Sequence, residues 1–290
     1  MYLAQGKLTN LIKSDKTDYM RKENMLKIHK KLLPATLYNE RRDKKTGKPI
    51  DIDMLVFHCS AYPCEKLMHV FQETGVSAHF IIDLDGTITQ LVKEDKRAWH
   101  AGVGTWGGID DINSHSVGIE LVHAQLGHTG AYPSQQIEAL KELSKKIIKT
   151  YHILPHNVVA HSDIAPTRRY DPGRLFPWQV LAQEEIGLFP SGEQKLSPKQ
   201  SVKDLRRQMG YSVENEPASL RAFIRHFMPQ LIPDKENPVM DQYQFLLDYD
   251  KNLPSVLAHQ PQANQAILNT LNQVAYLFNR SRQKAISFQK

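Results

Sequence analysis

The sequence predicts an α/β fold, with a central mixed β-sheet flanked by helices and a second, small all-helical domain after it. Three observations carry the prediction. Short apolar runs with strand character alternate with amphipathic helical stretches as far as Pro190. An Asp85-Gly86 pair joins two of those runs, the strongest short-range hairpin signal. Beyond Ser191-Gly192 strand-like sequence stops and helical periodicity recurs. On this reading residues 1–34 are a charged N-terminal extension, 35–190 the α/β domain and 191–290 the helical domain.

Each element has its own signal. After the turn-forming Gly47-Lys48-Pro49, the run Met54-Leu55-Val56-Phe57-His58 reads as a strand. Cys64 to Thr74 fits a helix with Leu67, Val70 and Phe71 on one face and Gly75 as its stop. His79–Leu84 and Thr87–Val92 flank the hairpin turn, and Ser116–Val122 is a further strand. A long helix is expected from Ser134, whose hydroxyl can cap it, to about Tyr151. Its buried stripe is Ile137, Leu140, Ile147, Ile148 and Tyr151. Asn157–His161 is a short strand, and Ser162–Pro177, punctuated by three prolines, is loop. In the helical part, Ser201–Met209 ends at Gly210, a left-handed cap. Leu220, Phe223, Ile224 and Phe227 form an apolar face that stops at Pro229, and Asn237-Pro238 starts another helix. Ile267, Leu271, Val274 and Phe278 line one seam of the last helix.

Composition narrows the function classes. The chain has 290 residues, 41% hydrophobic and 23% charged, enough for a sizeable core and too apolar for bulk disorder. Its longest apolar runs are too short to span a bilayer, so no transmembrane segment is expected. Met1–Asn10 lacks the apolar stretch of a signal peptide, so either the protein stays inside or an export signal is missing from this sequence. The net charge of +6, with basic residues dense in Lys7–Lys48, fits either attraction to an anionic polymer or a solvated basic arm. No nucleic-acid motif is present, and no nucleic-acid partner is expected. Cys59 and Cys64 cannot frame a disulfide scaffold; they close one small loop in an oxidising compartment or remain free thiols.

Three polar residues stand at the ends of apolar strands or in the loop after one. His58 closes Leu55-Val56-Phe57, His161 closes Val158-Val159-Ala160, and Asp171 lies in the turn Asp171-Pro172-Gly173. Two neutral imidazoles and a carboxylate, with a fourth position open to water, are the ligand chemistry of a catalytic zinc site. Such an ion brings its water to a pKa of about 7 and polarises a carbonyl.

His161-Ser162-Asp163-Ile164-Ala165-Pro166, then Asp171-Pro172-Gly173 and Leu175-Phe176-Pro177-Trp178, resembles the end of the type 2 N-acetylmuramoyl-L-alanine amidase domain. That family is related to the phage amidase lysozymes and the peptidoglycan recognition proteins. Four upstream blocks continue the resemblance in order: Val56-Phe57-His58-Cys59-Ser60-Ala61, Ser77-Ala78-His79-Phe80, Ala98-Trp99-His100-Ala101-Gly102 and Asn113-Ser114-His115-Ser116-Val117-Gly118-Ile119-Glu120. The resemblance implies one zinc ion held by His58, His161 and Asp171, and hydrolysis of the bond between N-acetylmuramic acid and L-alanine in peptidoglycan or muropeptides. It implies Glu120 as the general base and acid, in an apolar strand where an unpartnered carboxylate is costly. Some relatives use a tyrosine just before the residue matching His79; here it is Ala78, which leaves the proton work to Glu120. Where relatives carry lysine two residues before the metal aspartate, this chain has Arg169, a cation for the oxyanion with a planar, delocalised charge. Arg168 is the neighbouring alternative. His79, Trp99, His100 and Asn113 resemble the family's site walls and are expected to bind substrate. Cys59 should point to the face opposite His58.

The stretches Leu205–Tyr211 and Leu220–Pro229 resemble the small helical peptidoglycan-binding domain of some envelope amidases. This resemblance implies a hold on polymeric wall and a cell-envelope or periplasmic location, while the missing signal peptide leaves the cytoplasm open. The alternative reading is a recognition protein that binds muropeptides without cutting. The full set of His58, His161, Asp171 and Glu120 favours the enzyme.

Overall fold

The computed structural model describes residues 26–124, 127, 130–191, 201–232 and 261–288. Among the described residues eight strands form in chain order: β1 (Ile28–Lys30), β2 (Tyr38–Glu40), β3 (Met54–Ser60), β4 (Phe80–Ile82), β5 (Ile88–Gln90), β6 (Lys96–Ala98), β7 (Ser116–Val122) and β8 (Val158–Ala160). Six build one mixed sheet in the order β1-β5-β4-β7-β3-β8, and β2 and β6 pair in a small antiparallel sheet. Only the β4–β5 hairpin is antiparallel in the large sheet, turning at Gly86 with φ +84°. This is the turn that Asp85-Gly86 predicts.

The helices are α1 (Cys64–Thr74), α2 (Ile112–His115), α3 (Ser134–Tyr151), α4 (His161–Ile164), α5 (Trp178–Gln183), α6 (Val202–Met209), α7 (Glu216–Phe227) and α8 (Pro261–Phe288). α1 spans the residues expected and stops at Gly75, which takes a left-handed φ of 69°. Ser201 and Asn215 accept from backbone N–H groups and cap α6 and α7. Ser134 does not cap α3. It is the first helical residue, Pro133 occupies the cap, and the Ser134 hydroxyl turns to Gln135. Ile137, Leu140 and Ile147 of the expected stripe are buried together with Leu143, whereas Ile148 and Tyr151 are half-buried. The helix start expected at Asn237-Pro238 lies outside the described residues.

β3 has apolar cores on both faces. Leu55, Phe57 and Cys59 face a core built with α3, α5 and the alternate residues Val117, Ile119 and Leu121 of β7. Met54 and Val56 face the opposite core, which they share with Trp106, Ile164 and helices α6, α7 and α8. The expected helical region therefore packs directly against the sheet, and Ile267, Leu271, Val274 and Phe278 of α8 are buried in that common core. Ile28–Lys30, read from sequence as part of the charged extension, pairs in parallel with β5 as the sheet's edge. Three residues are too few to display the alternation that announces a strand. Both cysteines are free thiols.

Candidate active site

The site lies at the carboxyl ends of the parallel strands β7, β3 and β8. Alternation along β3 puts His58 on the face of Met54 and Val56, and alternation along β7 puts Glu120 on the face of Ser116 and Gly118. In register, His58 and Glu120 stand directly opposite each other on neighbouring strands. β8 pairs with β3 through Phe57↔Ala160, so the next residue, His161, arrives beside His58. His161 is not the end of the strand, as expected, but the first residue of α4. Asp171 is drawn in because the Ser162 N–H donates to its backbone carbonyl at 3.0 Å.

The three expected ligands converge. His58 Nδ1 lies 2.9 Å from His161 Nδ1 and 3.4 Å from Asp171 Oδ2, and His161 Nδ1 lies 3.1 Å from Asp171 Oδ2. Hydrogen bonding behind the rings fixes which nitrogen carries the proton. The Ser116 hydroxyl donates to the Ile112 carbonyl at 2.6 Å, so it must accept from His100 Nε2–H at 3.2 Å. Nδ1 of His100 is then an acceptor for His58 Nε2–H at 3.0 Å, which leaves the lone pair of His58 on Nδ1. His161 likewise donates Nε2–H to the Ala101 carbonyl at 3.0 Å and turns its Nδ1 lone pair inward. Burial, reinforced by His161, pushes the His58 pKa down to about 4, so its ring is neutral.

Two lone pairs and a carboxylate within hydrogen-bond distance repel one another unless a cation lies among them. Tetrahedral zinc, at about 2.0–2.1 Å from N and O ligands, separates its ligand atoms by about 3.3 Å. The observed spacings fit such an ion. Among the described residues, these three side chains are the one group of three or more potential metal ligands whose ligating atoms lie this close together.

Glu120 lines a cavity of about 160 Å³ together with His161 and Asp171, and its Oε2 has no hydrogen-bond partner among the described residues. Burial, with Asp171 adding to it and Arg169 opposing it, pushes its carboxyl up to about 8. The two arginines separate clearly. Arg168 binds the carbonyls of Ala101 and Val103, which ties it to the loop. Arg169 lines the cavity, and its buried Nε has no hydrogen-bond partner among the described residues.

The four residues expected to bind substrate do not share one role. Trp99 is half-buried and forms an apolar wall of the cavity with Phe71 and Val76. Asn113 is buried, and its Oδ1 accepts from the N–H groups of His100 and Ala101, so it frames the loop behind the ligands. His79 is fully buried; its Nδ1 accepts from Gly118 N–H and its Nε2 meets Lys96 O and Arg41. His100 touches the cavity but is spent on His58. Its ring occupies space that only glycine at position 118 leaves, since a Cβ there would lie 2.4 Å from His100 Cγ. Cys59 sits in the core opposite His58 as alternation requires, with an edge reaching the cavity. Sequence reasoning missed the tautomer relay through Ser116 and the buried Arg41. Nothing local in the sequence signals either. A larger cavity, about 620 Å³ beside Arg41, Tyr151 and His152, contains none of the converging ligands.

Comparison with known proteins gives one consistent result. The family model described as N-acetylmuramoyl-L-alanine amidase matches residues 47–174. The chain is 37% identical over 221 residues to N-acetylmuramoyl-L-alanine amidase AmiD of Escherichia coli strain K12, covering 66% of this chain and 80% of that protein. It is 42% identical over 113 residues to 1,6-anhydro-N-acetylmuramyl-L-alanine amidase AmpD of the same organism, covering 38% of this chain and 60% of that one. The solved complex of E. coli AmiD with the substrate anhydro-N-acetylmuramic acid-L-Ala-D-gamma-Glu-L-Lys matches with a TM-score of 0.58 at 32% identity, over 73% of this chain and 93% of that one. AmpDh3 from Pseudomonas aeruginosa, in complex with anhydromuramic pentapeptide, matches with a TM-score of 0.57 at 29% identity, over 73% and 96%.

Proposed function

Because the chain belongs to the N-acetylmuramoyl-L-alanine amidase family, we propose that it hydrolyses the amide between N-acetylmuramic acid and L-alanine in peptidoglycan or muropeptides, with one zinc ion held by His58, His161 and Asp171. The observation that carries the reading is the meeting of three inward lone-pair donors with a cavity-lining carboxylate one strand away. When bound, zinc supplies a Lewis acid that polarises an amide carbonyl and acidifies a water. The protein's own groups do the rest. Glu120, whose carboxyl pKa burial raises and whose ionised form a nearby cation favours, takes the proton from the attacking water and delivers it to the departing alanine nitrogen. Arg169 offers its charge to the oxyanion of the tetrahedral intermediate. Arg168, bound to two loop carbonyls, is not available for that task. Trp99 gives the substrate an apolar surface, while His100, His79 and Asn113 keep the ligand-bearing loops in place.

The test is mass analysis of anhydro-N-acetylmuramyl peptide incubated with zinc-loaded protein. Release of free peptide beginning with L-alanine is expected, and Glu120→Ala should retain zinc and lose most turnover. Intact substrate after prolonged incubation with fully zinc-loaded protein would overturn the assignment.

A further inference from the structure

We propose that the helical segment after residue 201 has a task inside the catalytic unit: Tyr211 and His226 clamp Asp163 and thereby position the ligand His161. The inference rests on the metal reading of His58, His161 and Asp171. It deepens that reading by naming positioning residues supplied from far along the chain.

α4, which begins with His161, is a single turn of four residues. A turn of that length does not hold its shape without help, because nucleation costs more than its few hydrogen bonds return. Its N-cap is Ala160, which has no side-chain acceptor, so the capping contact comes from inside the turn: Asp163 Oδ2 accepts from Ala160 N–H at 2.8 Å. Asp163 is completely buried. A buried carboxylate is tolerated only when its lone pairs are satisfied. Here the further donors come from the helical segment. Tyr211 Oη–H donates to Oδ1 at 2.7 Å, and His226 Nδ1–H donates to Oδ2 at 2.7 Å. The His226 ring is itself fixed, stacked 3.7 Å from Trp178 and 3.9 Å from Phe227.

Other contacts bind the same stretch. Arg221 donates to the Pro166 carbonyl, between the two ligand-bearing positions 161 and 171. Ile164 and Ala165 lie in one core with Leu205, Met209, Phe223 and Phe227. The chain between two of the three ligands is thus gripped on its inner side by α6, α7 and the residues that join them. A wall-binding role for these helices is compatible with this grip; the clamp is a separate function of the same residues.

The experiment uses the full chain and three variants. Tyr211→Phe removes one donor at constant shape. His226→Phe removes the other while keeping a stacked ring, and His226→Asn returns an amide donor near the Nδ1 position. Zinc affinity is read by competition with a chromophoric chelator, hydrogen exchange is read across residues 160–171, and thermal unfolding monitors the fold. Zinc affinity is expected to fall ten- to a hundredfold in Tyr211→Phe and His226→Phe. Exchange in 160–171 should rise even without metal, and His226→Asn should recover part of both. Unchanged affinity and exchange in folded variants, with only the unfolding midpoint lowered, would overturn the clamp. A wild-type chain that binds no zinc would instead overturn the metal reading, and the exchange result would still decide whether Asp163 is clamped.

Discussion

Replacing Glu120 with glutamine should stabilise the metal-free protein while disabling it. The magnitude follows from the carboxyl's position. Burial lifts its pKa from 4.5 to about 8 in the folded chain. A raised carboxylate pKa means that the folded state binds more protons than the unfolded state between those two values, so stability falls as pH rises through that window. At about 1.4 kcal/mol per pKa unit, the loss is roughly 3 kcal/mol at pH 7 and approaches roughly 5 kcal/mol above pH 8. Glutamine has the same shape and no charge to bury, so it escapes the loss. Urea unfolding of chelator-treated wild type and Glu120→Gln, at pH 5 and pH 8, measures the difference directly. The variant's advantage should be small at pH 5 and several kcal/mol at pH 8. Zinc should shrink it, since a cation nearby favours the ionised carboxylate. An advantage that does not change with pH would show that Glu120 is ionised at no energetic cost, and the argument for its poised proton would fail.

Three further outcomes are expected. His100→Phe should lower zinc affinity by about ten- to a hundredfold in a folded protein, because His58 loses the acceptor that sets its tautomer; the ¹⁵N shifts of the His58 ring report the change, and an unaltered tautomer would refute the relay. Arg169→Ala should reduce kcat by about a hundredfold or more with little effect on KM, whereas Arg168→Ala should act mainly through loop disorder. Gly118→Ala should reproduce the metal defect of His100→Phe, since the added methyl occupies the ring's space.

Much of the fold was readable because its signals are local. The α1 boundaries, the Asp85-Gly86 turn and the residues of β7 each follow from patterns a few residues long. His58, His161, Asp171 and Glu120 were legible for a different reason: each falls in one of the ordered blocks that resemble the amidase family, which a single histidine at a strand end would not have signalled. What surrounds them was not readable. Asn113, His79 and His100 read as substrate contacts in the sequence, whereas in the fold Asn113 bonds the N–H groups of His100 and Ala101, His79 meets Gly118 and Arg41, and His100 meets Ser116. Asp163 looks like an ordinary loop acid beside a ligand, and only folding brings Tyr211 and His226 to it, 48 and 63 residues away. Ser134 was misjudged because cap residues are recognised one position at a time, and Pro133 is equally able to precede a helix.

The side-by-side placement of His58 and Glu120 makes the chemistry depend on strand alignment. Side chains in a strand alternate faces, so a single residue gained or lost between Met54 and His58 would turn the histidine into the core behind the sheet while the carboxylate stayed in front. Length variation in such a protein must therefore be confined to the connections between strands. The enclosed middle of the sheet acts as a ruler, and its graduations are individual peptide units.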